Sequence, residues 1–174
     1  MDNTAFFDLT YGLFVIGTRS GDKQNACITN TVMQVAASPT RVTLACINGN
    51  YTPELISESG VFTVGILDET VDYDYIANFG LQHGRDTDKF KGLEVEYDCN
   101  NAPYVKDHIC SLLSCKVISS EDMGTHTLFI AEVVDAVKIS DDRPVTYAEY
   151  FARIKPQSGE IKKDKPLSRL HRVN

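Results

Sequence analysis

The sequence of 174 residues lacks tryptophan and has only three methionines, and none of its apolar runs is long enough to cross a membrane. It contains neither a GxGxxG motif after a predicted strand nor a GxxxxGK[ST] motif, which excludes a Rossmann dinucleotide site and a P-loop. Its acidic N-terminus lacks the basic flank and small-residue cleavage site of a signal peptide. These absences predict a cytoplasmic globular protein with no membrane partner.

The cysteines do not follow a metal-binding pattern. There are five of them and no CxxC pair, which argues against zinc and iron–sulfur sites. Their odd number also fits poorly with a disulfide framework. We therefore expect no metal, and we expect most of the cysteines to act as small core residues in a reducing compartment. They are Cys27, Cys46, Cys99, Cys110 and Cys115.

The net charge of −7 argues against binding to a nucleic-acid backbone, which requires an excess of basic side chains. An oligonucleotide-binding barrel is disfavoured further by the absence of tryptophan and the scarcity of basic–aromatic clusters. Basic residues outnumber acidic ones only from Arg153 onward. We therefore expect one domain over residues 1–152 and a basic C-terminal tail over 153–174, folded over the acidic body.

Apolar and β-branched stretches predict a mainly β protein with six or seven strands and two short helices. A long hairpin is predicted near the C-terminus, where the turn 121–124 joins residues 111–120 to residues 126–139. The predominance of hairpins favours an antiparallel barrel over a doubly wound sheet. The other main strands are predicted at residues 11–18, 25–36, 41–48 and 61–67.

Each predicted helix has recognisable ends. Thr52 is the predicted N-cap of the first, Pro53 occupies its first helical position, and Gly60 closes it in a left-handed conformation. The second helix is predicted to begin at Thr70 and to end at Gly80, with a stripe of apolar residues along one face.

Two polar clusters adjoin these strands and suggest a binding site. Residues 25–31 place amides and hydroxyls within an otherwise apolar region, where unpartnered polar groups cost free energy. Residues 48–52 lie at a helix N-terminus, whose free N–H groups bind anions, although taken alone this junction is better explained by a plain turn and cap. If the two segments are neighbours, with Ala45 to Ile47 as the apolar wall, they suit a flat ligand that carries a phosphate.

Four stretches in order resemble the flavin reductase-like family, which has the FMN-binding split-barrel fold of the Greek-key type. They are YGLFVIGTRSGDKQNACITNTVMQVAASP, VTLACINGNYTPELISESGVFTVGIL, IANFGLQHGRDTDKFKG and GTHTLFIAEVVDA, which cover most of residues 10–137. Within the family the chain most resembles the flavin domains associated with rubredoxin reduction, which also carry a segment like VTYAEYF.

The resemblance implies which residues bind FMN. The loop and strand around the flavin ring and ribityl phosphate correspond to Asn25, Ala26, Cys27, Thr29, Asn30 and Thr31. The strand along the isoalloxazine corresponds to Cys46, Ile47 and Asn48, and the turn beside the phosphate corresponds to Asn50, Tyr51 and Thr52. Positive charge near the flavin would come from Arg85 and Lys89, and His126 would face the flavin and the incoming nicotinamide as the catalytic residue.

The resemblance also implies the activity. We expect an FMN-dependent NAD(P)H oxidoreductase of the flavin reductase type, a homodimer that passes electrons to free flavin, to iron or to a small rubredoxin-like protein. Cys27-Ile28, Gly49 and Thr125 depart from common family residues, which are a methionine-threonine pair, a lysine and an acidic residue. These departures motivate an alternative, an FMN-binding electron carrier that a partner protein reduces.

Overall fold

The computed structural model describes residues 1–156, so the predicted basic tail lies almost wholly outside the described residues. Seven strands form one antiparallel sheet, and they are β1 Phe14–Ser20, β2 Lys23–Thr29, β3 Val32–Ala37, β4 Thr40–Ile47, β5 Val61–Leu67, β8 Ile109–Asp122 and β9 His126–Lys138. Their spatial order in the sheet is β2-β1-β5-β8-β9-β4-β3. A separate two-stranded sheet pairs β6 Glu96–Tyr97 with β7 Pro103–Tyr104.

The two edge strands of the sheet, β2 and β3, follow each other in the chain and are separated only by Asn30 and Thr31. Because so short a link keeps the two edges close together, the sheet curls into a barrel. Thr31 is bonded to β4, since its carbonyl accepts from the N–H of Ala45 at 3.3 Å and its hydroxyl donates to the Ala45 carbonyl at 2.6 Å. The predicted mainly β, split-barrel fold is therefore confirmed.

The single strand predicted over residues 25–36 is instead two strands that pair with opposite edges of the sheet. β2 pairs with β1, and β3 pairs with β4. The break comes where the hydroxyls of Thr29 and Thr31 bond to each other at 2.7 Å, because this side-chain contact replaces regular strand pairing.

The helices are α1 Tyr51–Ser59, α2 Tyr73–Gly80 and the short α3 Tyr147–Glu149. The N-cap of α1 is Asn50, not Thr52, so Pro53 lies at the third helical position. Gly60 closes α1 with a φ of 71°, as predicted. α2 begins after Asp72, whose carboxylate accepts from the N–H of Tyr75 at 2.8 Å, and not at Thr70.

Two adjoining apolar clusters form the core. One fills the barrel around Ile16, Phe62 and Phe129, and the other lies beneath α2 around Leu13 and Phe79. The core thus fixes α1 and α2 against β2, the strand that carries the first polar cluster.

Within residues 1–156 there is no helix long and apolar enough to span a membrane.

Candidate functional site

A cleft opens where the N-terminus of α1 meets β2, the end of β4 and the segment that follows α2. Both polar clusters of the sequence contribute to it, as the chain pattern predicts. Its walls consist of Asn25, Cys27, Ile28, Ile47, Gly49, Asn50, Tyr51, Thr52, Phe79, Gly80, Gln82, His83, Gly84, Arg85 and Lys89.

Asn25 and Thr52 connect the two polar clusters directly. The side-chain amide of Asn25 donates to the hydroxyl of Thr52 at 2.9 Å, and both residues are buried. On its other side Asn25 packs against Gly84, where a Cβ atom would lie 2.1 Å from the Asn25 side-chain oxygen. Asn25 therefore holds β2, α1 and the segment after α2 together at the base of the cleft.

Cys27 lies on the cleft wall near three polar groups. The thiol of Cys46 and the hydroxyl of Thr52 donate hydrogen bonds to its sulfur, and the Lys89 ammonium is close enough to attract it. The hydrogen bond from Cys46, together with Thr52 and the Lys89 charge, lowers the pKa of the Cys27 thiol. The same hydrogen bond and burial raise the pKa of Cys46, which is fully inside the barrel core.

Lys89 is a buried cation, only 5% exposed. Its ammonium donates to the carbonyls of Ala26 at 2.9 Å and Phe79 at 2.7 Å, which uses two of its three N–H groups. Burial lowers the pKa of Lys89, because the charged form loses its hydration. The Lys89 side chain thus lies at the cleft, and its hydrogen bonds tie the segment after α2 to β2.

Arg85 lies at the mouth of the cleft and is held by α1. Its guanidinium forms a bidentate ion pair with Glu54, one arm of which measures 3.2 Å, and stacks over the ring of Tyr51 at 4.9 Å. The Glu54 carboxylate raises the pKa of Arg85. Both groups are exposed, so the pair can exchange for another anion at small cost in free energy.

The remaining predicted residues lie around the cleft, and only some of them line it. Asn48 fixes the β8–β9 turn, because its side chain donates to the Gly124 carbonyl at 3.0 Å and accepts from the Thr127 hydroxyl at 2.7 Å. His126 begins β9 opposite Ile47, and its Nδ1 lies 2.9 Å from the hydroxyl of Thr125. Ile47 is 54% exposed, so an apolar surface extends from the cleft toward His126.

The structure brings most of the predicted FMN residues into one place. Those on the cleft wall are Asn25, Cys27, Ile47, Asn50, Tyr51, Thr52, Arg85 and Lys89. Those behind or beside the wall are Ala26, Thr29, Asn30, Thr31, Cys46 and Asn48, with His126 one strand away. Their assignment to FMN remains a prediction.

Several wall residues were not among the predicted ones. His83 and Gly84 immediately precede the predicted Arg85 in the chain and line the cleft with it. The resemblance in IANFGLQHGRDTDKFKG covered these positions, so it could have indicated them. The others are Ile28, Gly49, Phe79, Gly80 and Gln82.

The donors at the cleft fit a phosphate-bearing flavin. The first N–H groups of a helix have no partner within the helix, so the amides at the N-terminus of α1 are available to an anion beside the Arg85 guanidinium. The strand side of the cleft presents Cys27, Ile28 and Ile47, which suit a flat ring. No group of three or more His, Cys, Asp or Glu side chains that could hold a metal occurs within residues 1–156.

Comparison with known proteins places the chain in a family. The family model described as "Flavin reductase like domain" matches residues 6–154, so the chain belongs to the flavin reductase-like family. The chain is 33% identical over 150 residues to a ferric-chelate reductase (NAD(P)H) from Archaeoglobus fulgidus, a match that covers 86% of this chain and 89% of the relative.

Two further similarities agree with this membership. The chain is 35% identical over 150 residues to a high molecular weight rubredoxin from Moorella thermoacetica, covering 86% of this chain and 66% of that protein. The solved structure of flavin reductase PheA2 superposes with a TM-score of 0.69 at 27% identity, covering 84% of this chain and 93% of the other. The predicted family is therefore confirmed.

Proposed function

We propose that the protein is an FMN-dependent NAD(P)H oxidoreductase that binds FMN in the cleft. The observation that carries this proposal is the joining of the two polar clusters, through Asn25 and Thr52, at a helix N-terminus in a chain of the flavin reductase-like family. The relative named ferric-chelate reductase (NAD(P)H) supports a nicotinamide as hydride donor.

The residues of the chain would bind and orient the cofactor. The amides of α1 and the Arg85 guanidinium would receive the phosphate, with Arg85 exchanging Glu54 for it. The buried Lys89 supplies fixed positive charge behind β2, which favours an electron-rich ring. Asn25 and Gly84 hold the wall in place, so the α1 amides need no rearrangement on binding, and only Arg85 changes its partner.

FMN, when bound, supplies the hydride and electron chemistry, so no side chain must act as a nucleophile. His126 and Ile47 lie on the open side of the cleft, where a nicotinamide ring could stack. Thr125 holds the His126 imidazole through its hydroxyl and so limits its orientations. Free flavin, chelated iron or a small redox protein could receive electrons at this open side.

A second candidate function is an FMN-binding electron carrier that a partner protein reduces. The similarity to a high molecular weight rubredoxin favours this function. In that case a rubredoxin-like protein would be the electron partner. A cytoplasmic location, expected from the sequence, is part of both proposals.

We also propose a homodimer. Apolar side chains are exposed on β3 and on β8, β9 and the turn between them, among them Met33, Met123 and Val134. A second copy of the chain would cover these groups and close the open side of the cleft. Sedimentation velocity at micromolar concentration should give twice the monomer mass, and a monomer at that concentration would contradict the dimer.

Anaerobic addition of a nicotinamide to the FMN-loaded protein separates the two functions. The oxidoreductase should lose its visible flavin absorbance within seconds of adding NADH or NADPH. The electron carrier should keep that absorbance and lose it only when a reductase or a reduced rubredoxin-like protein is added. Protein that binds no FMN would contradict both proposals.

A further inference from the structure

The contact between Cys27 and Cys46 is a feature that flavin binding does not require. Cys27 lies on β2 and Cys46 on β4, two strands that are not hydrogen-bonded to each other in the sheet. The chain between them turns from one edge of the barrel to the other, and Thr31 bonds to Ala45, the neighbour of Cys46. The two thiols therefore meet across the seam of the barrel.

The two thiols differ in what surrounds them. Cys27 is half-buried and lines the cleft, so a small solute can reach it, whereas Cys46 is 4% exposed and lies behind it. Around the Cys27 sulfur are two hydrogen-bond donors, the Thr52 hydroxyl and the Cys46 thiol, and the Lys89 cation. Such surroundings favour the thiolate, which is the nucleophilic form of cysteine.

We propose that Cys27 and Cys46 form a peroxide-reactive dithiol on the cleft wall, with Cys27 as the attacking thiol and Cys46 as the resolving thiol. The product is a disulfide that joins β2 to β4 across the seam of the barrel. Hydrogen peroxide, which forms when reduced flavin reacts with dioxygen, is the oxidant.

The reaction balances in two steps. The Cys27 thiolate attacks one oxygen of hydrogen peroxide, the O–O bond breaks, and the departing hydroxide takes up a proton to leave a sulfenic acid and water. The Cys46 sulfur then attacks the Cys27 sulfur, the S–O bond breaks, and water leaves with the Cys46 proton. The two thiols are oxidised by two electrons, and one peroxide is reduced to two waters.

The placement of the remaining cysteines makes the reaction specific to this pair. Cys110 and Cys115 are buried and lie away from the cleft wall, and Cys99 is exposed. Because the Cys99 thiol is exposed, peroxide can oxidise it without any contribution from the cleft. A Cys99→Ser background removes this competing signal. Cys110 and Cys115 then act as internal controls that should remain thiols.

The test measures free thiols and intact mass in the Cys99→Ser protein after brief treatment with hydrogen peroxide. We expect the loss of two thiols, a mass about 2 Da lower, and a tryptic peptide with Cys27 linked to Cys46. Trypsin cleaves after Arg41, between the two cysteines, so the linked pair is diagnostic.

Two variants assign the roles. Cys27→Ser should abolish the loss of thiols, and Cys46→Ala should leave Cys27 with a single added oxygen, about 16 Da heavier, without a link. The proposal would be overturned if the folded Cys99→Ser protein kept all its thiols after peroxide treatment, or formed a disulfide with Cys110 or Cys115 instead. It would also be overturned if Cys27 were oxidised to the sulfinic acid while Cys46 is present.

The disulfide does not depend on the proposed function, because its formation needs no flavin. Protection of the Cys27 thiol by bound FMN, in contrast, rests on the proposed function. Saturating FMN should cover Cys27 and slow disulfide formation at least about tenfold. An equal rate with and without FMN would contradict the placement of FMN beside Cys27 and leave the dithiol established.

Discussion

The side-chain amide of Asn25 on β2 donates a 2.9 Å hydrogen bond to the hydroxyl of Thr52 in the first turn of α1. The residues are 27 positions apart and both are buried. This bond joins the two polar clusters, so it should contribute to both folding and the shape of the cleft.

A double-mutant cycle with Asn25→Ala and Thr52→Val measures this contribution. Each variant should lower the free energy of unfolding by about 1–3 kcal/mol, because each leaves a buried partner unsatisfied. The two changes together should cost less than their sum by about 1 kcal/mol, measured by urea unfolding. Strictly additive changes would show that the bond does not couple the strand to the helix.

Gly84 should tolerate no side chain, because a Cβ atom there would lie 2.1 Å from the Asn25 side-chain oxygen. Gly84→Ala should cost about 1–3 kcal/mol of stability and weaken FMN binding by displacing Asn25. Gly21→Ala is the matched control, since Gly21 has a φ of +57° in an open hairpin turn and does not line the cleft. The control should lose stability but keep its FMN affinity.

Should both glycine variants bind FMN as the wild type does, Gly84 would have no part in holding the cleft. Thermal unfolding followed by FMN titration of each variant distinguishes the two effects. The comparison is sound because both substitutions add the same methyl group.

Arg85 should recognise the phosphate of FMN and not its ring. Arg85→Ala should weaken FMN binding about tenfold, which corresponds to about 1.4 kcal/mol, and leave riboflavin binding unchanged. Glu54→Gln should act in the opposite direction, because it frees the guanidinium from its present partner. Equal losses for FMN and riboflavin in Arg85→Ala would place the phosphate elsewhere.

The lowered pKa of Lys89 predicts a pH dependence of stability. Between the pKa of the folded state and the unfolded value of about 10.4, the unfolded chain binds more protons, so stability should rise with pH. Below the folded pKa the cost of burying the charge is fully present. Relative to Lys89→Gln, the protein with lysine should therefore gain stability as pH rises from the folded pKa toward about 10.4.

This comparison requires a Cys27→Ser background, because the charge of the Cys27 thiolate and that of Lys89 influence each other, so the thiol would add its own pH dependence. Unfolding free energies from urea titrations at several pH values give the difference. A difference that falls as pH rises would mean that the folded state stabilises the Lys89 charge.

Local patterns were enough to predict the features that depend on neighbouring residues. The left-handed Gly60 and the β8–β9 hairpin are examples, because turn and strand preferences act over a few positions. The pocket formed by the two polar clusters was also predicted, since unpartnered buried amides and hydroxyls must find partners. The family resemblance identified the barrel and the segment after α2.

Features set by contacts between distant residues could not be read from the sequence. Lys89 looks like a solvated charge, and only tertiary packing shows that it is buried against Ala26 and Phe79. The Thr29–Thr31 contact marks the break between β2 and β3, but the pairing of these strands with opposite edges of the sheet depends on the closing of the barrel, and an unbroken strand would satisfy the same apolar pattern. The Gly84–Asn25 contact likewise joins segments that no local rule connects.

The central claim is that FMN lies in the cleft with its phosphate at the N-terminus of α1. A crystal structure of the FMN complex tests it most directly. We expect phosphate oxygens within hydrogen-bond distance of the Tyr51 and Thr52 amides, with Arg85 turned from Glu54 toward them and the flavin ring beside Cys27 and Ile47. A phosphate bound away from α1, or a flavin that does not contact β2, would contradict the account.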